Sequence, residues 1–326
     1  MPESKSIATW RPVAILLLCT PFSAPVVHAQ SLPAGVSELG PVAFPDSQRY
    51  TFEAKNVDQT YLVDVVRIAS PAAPPLNEPL KVVFVTDGNS MSGLTSGIAF
   101  LNSIESLPPM YIVAIGVSFK EGISPAQLLL QFSLRRGRDY SPASLEDELM
   151  PELLDAWPGF SASLGMGGAP YPDYGRPNGA EAFLAFINDE LKPFVAERYP
   201  DADVDDSALF GHSGGAWFAL NVLFTEPESF ARYIAISPGG PEGFILPIAM
   251  KSDFQSTKAS LFMAFAEEDL PKIVGETTAL NDFFRTNAHE GFEYEYQVFP
   301  GERHNSVVAG AFIRGLRVVF DQPGAP

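Results

Sequence analysis

The sequence predicts an α/β protein with a mostly parallel central sheet, helices on both faces and an antiparallel N-terminal edge. Short apolar runs typical of buried strands alternate with longer helical stretches along most of the chain. Before that alternation, roughly residues 37–70 have the pattern of antiparallel strands, and residues 61–68 are the clearest example. No internal repeat of solenoid or propeller length is present.

The individual elements follow in chain order. Buried strands are predicted at residues 80–86, 110–117, 207–210, 231–236, 259–265 and 292–299. The clearest helices are predicted at residues 179–198, 270–288 and 306–320. Residues 143–178 break the alternation, because an acidic amphipathic piece is followed by a segment rich in glycine and proline. We expect an inserted cap or active-site loop there.

The first 29 residues have the pattern of a secretory signal peptide. Lys5 and Arg11 supply positive charge, residues 13–18 form a short apolar core, and residues 27–29 offer small side chains for cleavage. The apolar stretch is shorter than the ~20 residues that span a bilayer. We therefore expect residues 30–326 to be one exported domain, periplasmic or extracellular, without stable membrane insertion. Cys19, the one cysteine, lies in the signal, so the exported chain would have no disulfide or thiolate nucleophile.

The charge of the chain argues against one class of partner. Its formal net charge is −18, which makes nucleic acid an improbable partner. No long run of one charge is present, so the acidity is typical of a solvated surface. The sequence leaves the oligomeric state open.

The most informative motif is Gly-His-Ser-Gly-Gly at residues 211–215. It follows the apolar run 207–210 and precedes the helical run 216–224. This context places Ser213 at a sharp strand-to-helix turn, where flanking glycines avoid Cβ collisions and the helix N-terminus provides free N–H groups. A simple glycine-rich connection is the alternative. In the functional reading Ser213 is a nucleophile.

A nucleophilic serine requires a base, and few histidines are available. Of four histidines, His28 leaves with the signal and His212 lies beside the serine that it would serve. His289 falls at a helix end, whereas His304 falls in the loop after the last strand. Reacting groups of a doubly wound sheet gather at the C-terminal ends of the strands, so His304 is the predicted base.

An acid should follow the serine and precede the histidine, on a loop after a strand. Glu267, Glu268 and Asp269 occupy such a loop. A solvated charge or a cap for the next helix is the alternative role for each. We favour Asp269, then Glu267.

An oxyanion hole is expected beside the serine. The backbone N–H of Gly214 would be one donor, and that of Gly88 or Asn89, in the turn after the strand at 80–86, would be the second. An ordinary β-turn is the alternative reading of residues 87–89.

Four separated motifs carry a family resemblance. They lie at residues 85–89, at 135–142 (Arg-Arg-Gly-Arg-Asp-Tyr-Ser-Pro), at 183–194 leading into 211–215, and at 299–304. Together they resemble the putative esterase family of α/β hydrolases, which includes enterochelin-type trilactone esterases and esterase D. The resemblance implies an α/β-hydrolase fold with Ser213 as nucleophile and His304 as base. The family often has Gly-Glu-x-Glu or Gly-Glu-x-Asp where this chain has residues 266–269, and that spacing favours Asp269.

The expected function is a secreted serine hydrolase that cleaves carboxylic esters through an acyl-enzyme. An acyltransferase with the same triad is the first alternative, and a catalytically silent binding protein of the same fold is the second. We expect no cofactor and no metal, because potential ligands are few and His289-Glu290 does not extend to His-Glu-x-x-His.

The expected partner is a small-molecule ester, and its identity stays open between a siderophore lactone, an aryl ester and a short acyl ester. Candidate substrate contacts are Arg138, Trp157 and His212. A basic pocket for a catecholate siderophore is one hypothesis for the arginines 135, 136, 138, 176 and 303, and ordinary ion pairs are the alternative.

Overall fold

Eight strands form one mixed sheet in the part of the chain that the structure describes. This computed structural model describes residues 44–320 except 56, 58, 70–77, 105, 106, 120, 121, 164 and 242. The predicted signal at 1–29, with Cys19, and the start of the predicted antiparallel section lie outside the described residues. The strands are β1 Ser47–Glu53, β2 Thr60–Ile68, β3 Leu80–Val85, β4 Met110–Val117, β5 Ala202–His212, β6 Arg232–Ile236, β7 Ala259–Ala266 and β8 Phe292–Phe299.

The sheet confirms the predicted fold class. Its strand order is β1-β2-β4-β3-β5-β6-β7-β8, with β1 and β2 antiparallel to their neighbours and all other pairs parallel. The parallel strands β3, β5, β6, β7 and β8 are consecutive in the sheet, so the loops after them emerge side by side at one edge.

Helices cover both faces of the sheet. They are α1 Gly88–Asn102, α2 Pro125–Tyr140, α3 Glu146–Ser163, α4 Ala180–Ala185, α5 Lys192–Arg198, α6 Gly214–Thr225, α7 Ile245–Lys251, α8 Pro271–Thr286 and α9 Val307–Phe320. A π-helical segment, Phe186–Leu191, joins α4 to α5, so the helix predicted at 179–198 is one helical stretch. Single 3₁₀ turns lie at Ala143–Leu145, Asp173–Gly175, Pro227–Ser229 and Phe254–Ser256.

Two apolar layers, one on each face of the sheet, form the core. Leu209 packs with α4 to α8 on one face, whereas the next residue, Phe210, packs with α1 and α9 on the other. The Phe210 and Phe312 rings meet with centroids 4.7 Å apart. Because both faces of β5 are buried, residues 207–210 have no polar alternation, which explains the continuous apolar run.

The strand β5 begins earlier than its apolar run predicts. Its first half is acidic, and two of its three aspartates have cationic partners on neighbouring strands. Lys81 of β3 lies 2.6 Å from Asp206, and Arg232 of β6 contacts the same carboxylate. Ion pairing therefore allows polar residues to extend a central strand.

The segment 143–178 contains the helix α3 and packs against α2. Trp157 joins Leu130 and Leu134 in a small apolar cluster, with Met166 and Tyr171 at its margin. Its role as a cap stays a prediction.

Within the described ranges, no helix combines the length and apolarity needed to cross a membrane.

Candidate active site

Ser213 occupies a strained turn between β5 and α6. Its backbone has φ 56° and ψ −123°, a left-handed φ that residues other than glycine rarely adopt. Its N–H donates to the Ile236 carbonyl at 3.0 Å, and its own carbonyl accepts the N–H groups of Trp217 and Gly239, each at 3.0 Å. Hydrogen bonds from β6 and α6 thus hold the serine in this conformation, as expected of a nucleophile elbow.

The two motif glycines are required by close backbone contacts. A Cβ at Gly211 would lie 2.1 Å from the carbonyl carbon and oxygen of Gly215. A Cβ at Gly215 would lie 2.2 Å from the Thr86 hydroxyl oxygen. A side chain at Gly211 would force β5 and α6 apart, and a side chain at Gly215 would force α6 away from the segment that follows β3. The prediction that these glycines avoid Cβ collisions is thereby confirmed.

His304 and Asp269 form a hydrogen-bonded pair at the same sheet edge. His304 Nδ1 lies 2.9 Å from Asp269 Oδ1, which also accepts the Leu270 N–H at 2.8 Å. Burial alone would raise the pKa of the Asp269 carboxyl, but hydrogen bonds from His304 and the Leu270 N–H help to lower it below its ordinary value. Asp269 is therefore a stable carboxylate facing the imidazole.

The other two acids of this loop have different partners. The Glu267 carboxylate accepts the N–H of Gly301 at 2.9 Å, and Glu268 pairs with Arg303 at 2.9 Å. Both contacts brace the loop that carries His304. The structure thus brings Asp269 to the imidazole and assigns Glu267, the alternative acid, to loop support.

His212 contacts the backbone of His304. Its Nε2 lies 2.7 Å from the His304 carbonyl oxygen, and the two ring centroids are 4.7 Å apart. Burial, together with the neighbouring imidazole, lowers the pKa of His212 to about 4. The neutral ring therefore donates its Nε2–H to His304. Because this bond is internal to the protein, a substrate contact by His212 stays a prediction.

An ion pair that sequence reasoning did not single out lies behind the elbow. Arg136 binds both oxygens of Asp87, at 2.7 and 3.0 Å, and donates to the His212 carbonyl at 3.2 Å. The Tyr140 hydroxyl accepts the Asp87 N–H and donates to Oδ1 of the same residue, both at 3.0 Å. Arg136 Nη1 would lie 2.8 Å from a Cβ at Gly214. The motif at residues 135–142 was the sequence signal for this ion pair, because the end of α2 places Arg136 and Tyr140 of that motif beside Asp87.

The predicted oxyanion donors lie at the N-termini of two helices. Gly214 begins α6, and Gly88 and Asn89 begin α1, where N–H groups lack partners within the helix. The β-turn alternative for 87–89 is therefore wrong, because Asp87 caps a helix. The Asn89 side chain is bound to Val117 at the end of β4, which leaves its backbone as the candidate donor. The oxyanion role stays a prediction.

The other candidate substrate contacts have internal partners. Arg138 is buried, and its Nε lies 2.7 Å from Asp139. Trp157 donates its indole N–H to the Ala169 carbonyl at 2.7 Å. Four of the five arginines in the basic-pocket hypothesis make ion pairs, namely 136, 138, 176 and 303. The ion-pair alternative accounts for these four, and substrate contacts by Arg138 and Trp157 stay predictions.

The described residues include no cluster of three or more potential metal ligands.

Comparison with known proteins agrees with this site. A family model described as "Putative esterase" matches residues 166–297, which include Ser213 and Asp269. The chain is an esterase, and it is similar to this family over those residues. The resemblance stated from the sequence motifs is thereby confirmed.

Individual relatives of the esterase point to one group of enzymes. The ferri-bacillibactin esterase BesA of Bacillus subtilis is 27% identical over 86% of this chain and 91% of its own length. The siderophore triacetylfusarinine C esterase of Aspergillus fumigatus is 29% identical over 61% of this chain and 57% of its own length. The crystal structure of the BES protein from Bacillus cereus matches with a TM-score of 0.65 at 20% identity, covering 88% of this chain and all of that one. At that identity the structural match shows the shared fold.

The contacts of Gly211 predict a large effect of a single methyl group. Gly211→Ala should lower the free energy of unfolding of the esterase by about 3 kcal/mol or more, because the new Cβ collides with the backbone of Gly215. Gly97→Ala is the matched control, since Gly97 lies in α1 with open space around it and should gain about 0.5–1 kcal/mol. Urea unfolding measures both. Equal effects of the two substitutions would contradict the packing argument.

The low pKa of His212 predicts a pH-dependent loss of stability. Below about pH 6.5 the unfolded chain protonates this ring, whereas the folded protein does so only near pH 4. Stability should therefore fall as the pH drops through this window, by roughly 3 kcal/mol more in the native esterase than in His212→Gln. Urea unfolding at pH 7 and pH 4 gives both values. Identical pH dependence of the two proteins would mean that the folded state protonates His212 readily.

Proposed function

We propose that the esterase cleaves carboxylic esters through an acyl-enzyme on Ser213, with His304 as general base and Asp269 as the acid that orients it. The observation that carries the proposal is the 2.9 Å hydrogen bond between His304 Nδ1 and Asp269 Oδ1. The contact of the adjacent His212 with the His304 carbonyl ties this pair to the elbow. The nucleophile, the acid and the base follow β5, β7 and β8, respectively, which is the chain order of α/β hydrolases.

The geometry defines the proton transfers. With Nδ1–H directed to Asp269, the neutral His304 imidazole has Nε2 free to accept the Ser213 proton. The serine oxygen then attacks the ester carbonyl, and the departing alkoxide takes the proton from Nε2. Water next attacks the acyl-enzyme, gives its proton to Nε2 and releases the acid while Ser213 recovers its proton.

The developing oxyanion would be bound by backbone N–H groups at two helix N-termini. Gly214 supplies one donor from α6, and Gly88 or Asn89 supplies the other from α1. The Arg136–Asp87 ion pair supports both, because it joins the start of α1 to the residue before the nucleophile. Positive ends of helix dipoles favour negative charge at this point.

Substitutions of the triad should separate its members from their neighbours. Ser213→Ala and His304→Ala should each lower kcat for p-nitrophenyl butyrate by about 10⁴-fold or more, and Asp269→Asn by about 10³-fold or more. Glu267→Gln is the matched control for the acid, and it should change kcat by less than about tenfold, since that carboxylate supports the loop only. A larger loss from Glu267→Gln than from Asp269→Asn would refute the assignment of the acid.

We propose further that the natural substrate is a siderophore ester. The support is the similarity to ferri-bacillibactin esterase BesA over most of both chains, together with the fungal siderophore esterase. An acyltransferase would use the same triad, so the products distinguish the two: hydrolysis releases the free acid even when alcohol acceptors are present.

A substrate panel tests this choice. With ferric bacillibactin, ferric enterobactin, triacetylfusarinine C and p-nitrophenyl butyrate, we expect at least one siderophore to give a kcat/KM about 100-fold above that of the short ester, because remote contacts contribute to transition-state binding. Chromatography of the hydrolysed products gives the rates, and Ser213→Ala gives the background. Turnover of the short ester with all three siderophores intact would exclude the siderophore assignment.

We propose that the enzyme is exported, on the basis of the signal pattern in residues 1–29. Mass spectrometry of the protein from a secreting host should find Gln30 as the mature N-terminus. A chain that stays intracellular and retains residues 1–29 would contradict export.

A further inference from the structure

Gly239 brings the segment after β6 against the proposed nucleophile. Its N–H donates to the Ser213 carbonyl at 3.0 Å, which holds the Gly239 backbone beside the elbow. A Cβ at position 239 would lie 3.2 Å from the Ser213 hydroxyl oxygen and 3.2 Å from Cδ1 of Ile273. The space that this glycine leaves open therefore lies directly beside the proposed reacting atom and borders the Ile273 side chain.

Backbone geometry does not require a glycine at this position. Gly239 is not among the described glycines with a positive φ, so alanine can adopt its conformation. The two atoms nearest to a Cβ at position 239 belong to side chains, whereas at Gly211 they belong to the backbone. The neighbouring Gly240 is different again, because a Cβ there would lie 2.2 Å from the Trp217 ring. What Gly239 provides is therefore free space beside the Ser213 hydroxyl.

Ile273 gives this space an apolar wall. It lies in the first turn of α8, just after the loop that carries Asp269. Its side chain is buried, yet it belongs to neither of the two apolar layers of the core. Apolar side chains around a small open space are typical of a ligand subsite. We call the space between Gly239, Ser213 and Ile273 the Gly239 recess.

The proposed reaction indicates which part of an ester lies in the recess. The carbonyl carbon approaches to about 3–3.5 Å from the serine oxygen, so the atoms bonded to it reach the space beside Gly239. The carbonyl oxygen points to the N-termini of α1 and α6, and α1 follows β3, on the opposite side of β5 from β6. The alcohol oxygen lies against His304 Nε2, from which it takes a proton. The acyl carbon is the substituent that remains for the recess.

We propose that Gly239 is a specificity-determining residue and that the Gly239 recess binds the α-carbon of the acyl group. The class of substrate that fits is an ester whose acyl group is branched at the α-carbon, because the absent Cβ leaves room for a carbon-sized substituent there. This inference rests on the proposed function of Ser213. It deepens that function by assigning the acyl side of the substrate to the segment after β6.

Two isomeric esters measure the recess. p-Nitrophenyl 2-methylpropanoate and p-nitrophenyl butyrate share their leaving group and differ only in branching at the α-carbon. The native enzyme should cleave both with kcat/KM values within about tenfold of each other. Gly239→Ala should lower the ratio of the branched to the unbranched ester by about tenfold or more, because the new Cβ occupies the space of the α-substituent. Gly97→Ala is the matched control, since it adds a methyl group in open space on α1 and should leave the ratio unchanged.

A second variant enlarges the recess without crowding the nucleophile. Ile273→Val removes Cδ1, the atom that borders position 239. With p-nitrophenyl 2-ethylbutanoate and its unbranched isomer p-nitrophenyl hexanoate, this variant should raise the ratio of kcat/KM for the branched ester about threefold or more. The two substitutions therefore move the preference for branching in opposite directions.

Branching in the alcohol distinguishes the two sides of the ester. 1-Propyl and 2-propyl butyrate differ only there, and Gly239→Ala should change their kcat/KM ratio by less than about twofold. Three results would overturn the inference: an unchanged acyl preference in Gly239→Ala, an equal loss with both acyl isomers, or a larger change in the alcohol preference. If Gly239→Ala does not fold, an unchanged acyl preference in Ile273→Val overturns it. Failure of the proposed function has a different signature, because Ser213→Ala would then still cleave the p-nitrophenyl esters at the native rate.

Discussion

The architecture of the site depends on holding the backbone of Ser213 in a conformation that serine disfavours. Hydrogen bonds with Ile236, Gly239 and Trp217 enforce the left-handed turn. The absence of a side chain at Gly211 lets β5 and α6 approach closely enough to form it, and the absence of one at Gly215 lets α6 pack against Thr86 after β3. The buried layers on both faces of the sheet fix the strands from which these bonds come. The geometry of the active site therefore depends directly on the packing of the core.

The electrostatics of the site follow from the same arrangement. Five parallel strands place their C-terminal loops side by side, so an acid, an imidazole and two helix N-termini meet without any being close in sequence. The carboxylate of Asp269 remains charged because His304 and the Leu270 N–H donate to it, whereas His212 remains neutral because burial disfavours its charged form. Two neighbouring histidines thus differ in role: one holds a loop, and the other faces the acid.

The features that could be predicted from the sequence are those that a local residue pattern determines. Apolar runs located all the buried parallel strands, and the glycine motif located the elbow. The helix α1 was missed because its sequence is rich in glycine and serine, which have low helix propensity, and tertiary packing overrides that preference. Among the three consecutive acids, position and motif spacing favoured Asp269 over Glu267, but only the fold shows that Asp269 is the one that contacts His304. The ion pair of Arg136 with Asp87 joins residues 49 positions apart, a distance over which sequence carries no contact information.

The central claim is that ester cleavage proceeds through a covalent bond to Ser213 formed with the help of the His304–Asp269 pair. The most direct measurement is rapid-quench mass spectrometry of the enzyme mixed with a p-nitrophenyl ester. We predict an acyl adduct that forms with the burst of p-nitrophenol, maps to the peptide containing Ser213 and is absent in Ser213→Ala. Full turnover without an adduct, or an adduct on another residue, would contradict the account.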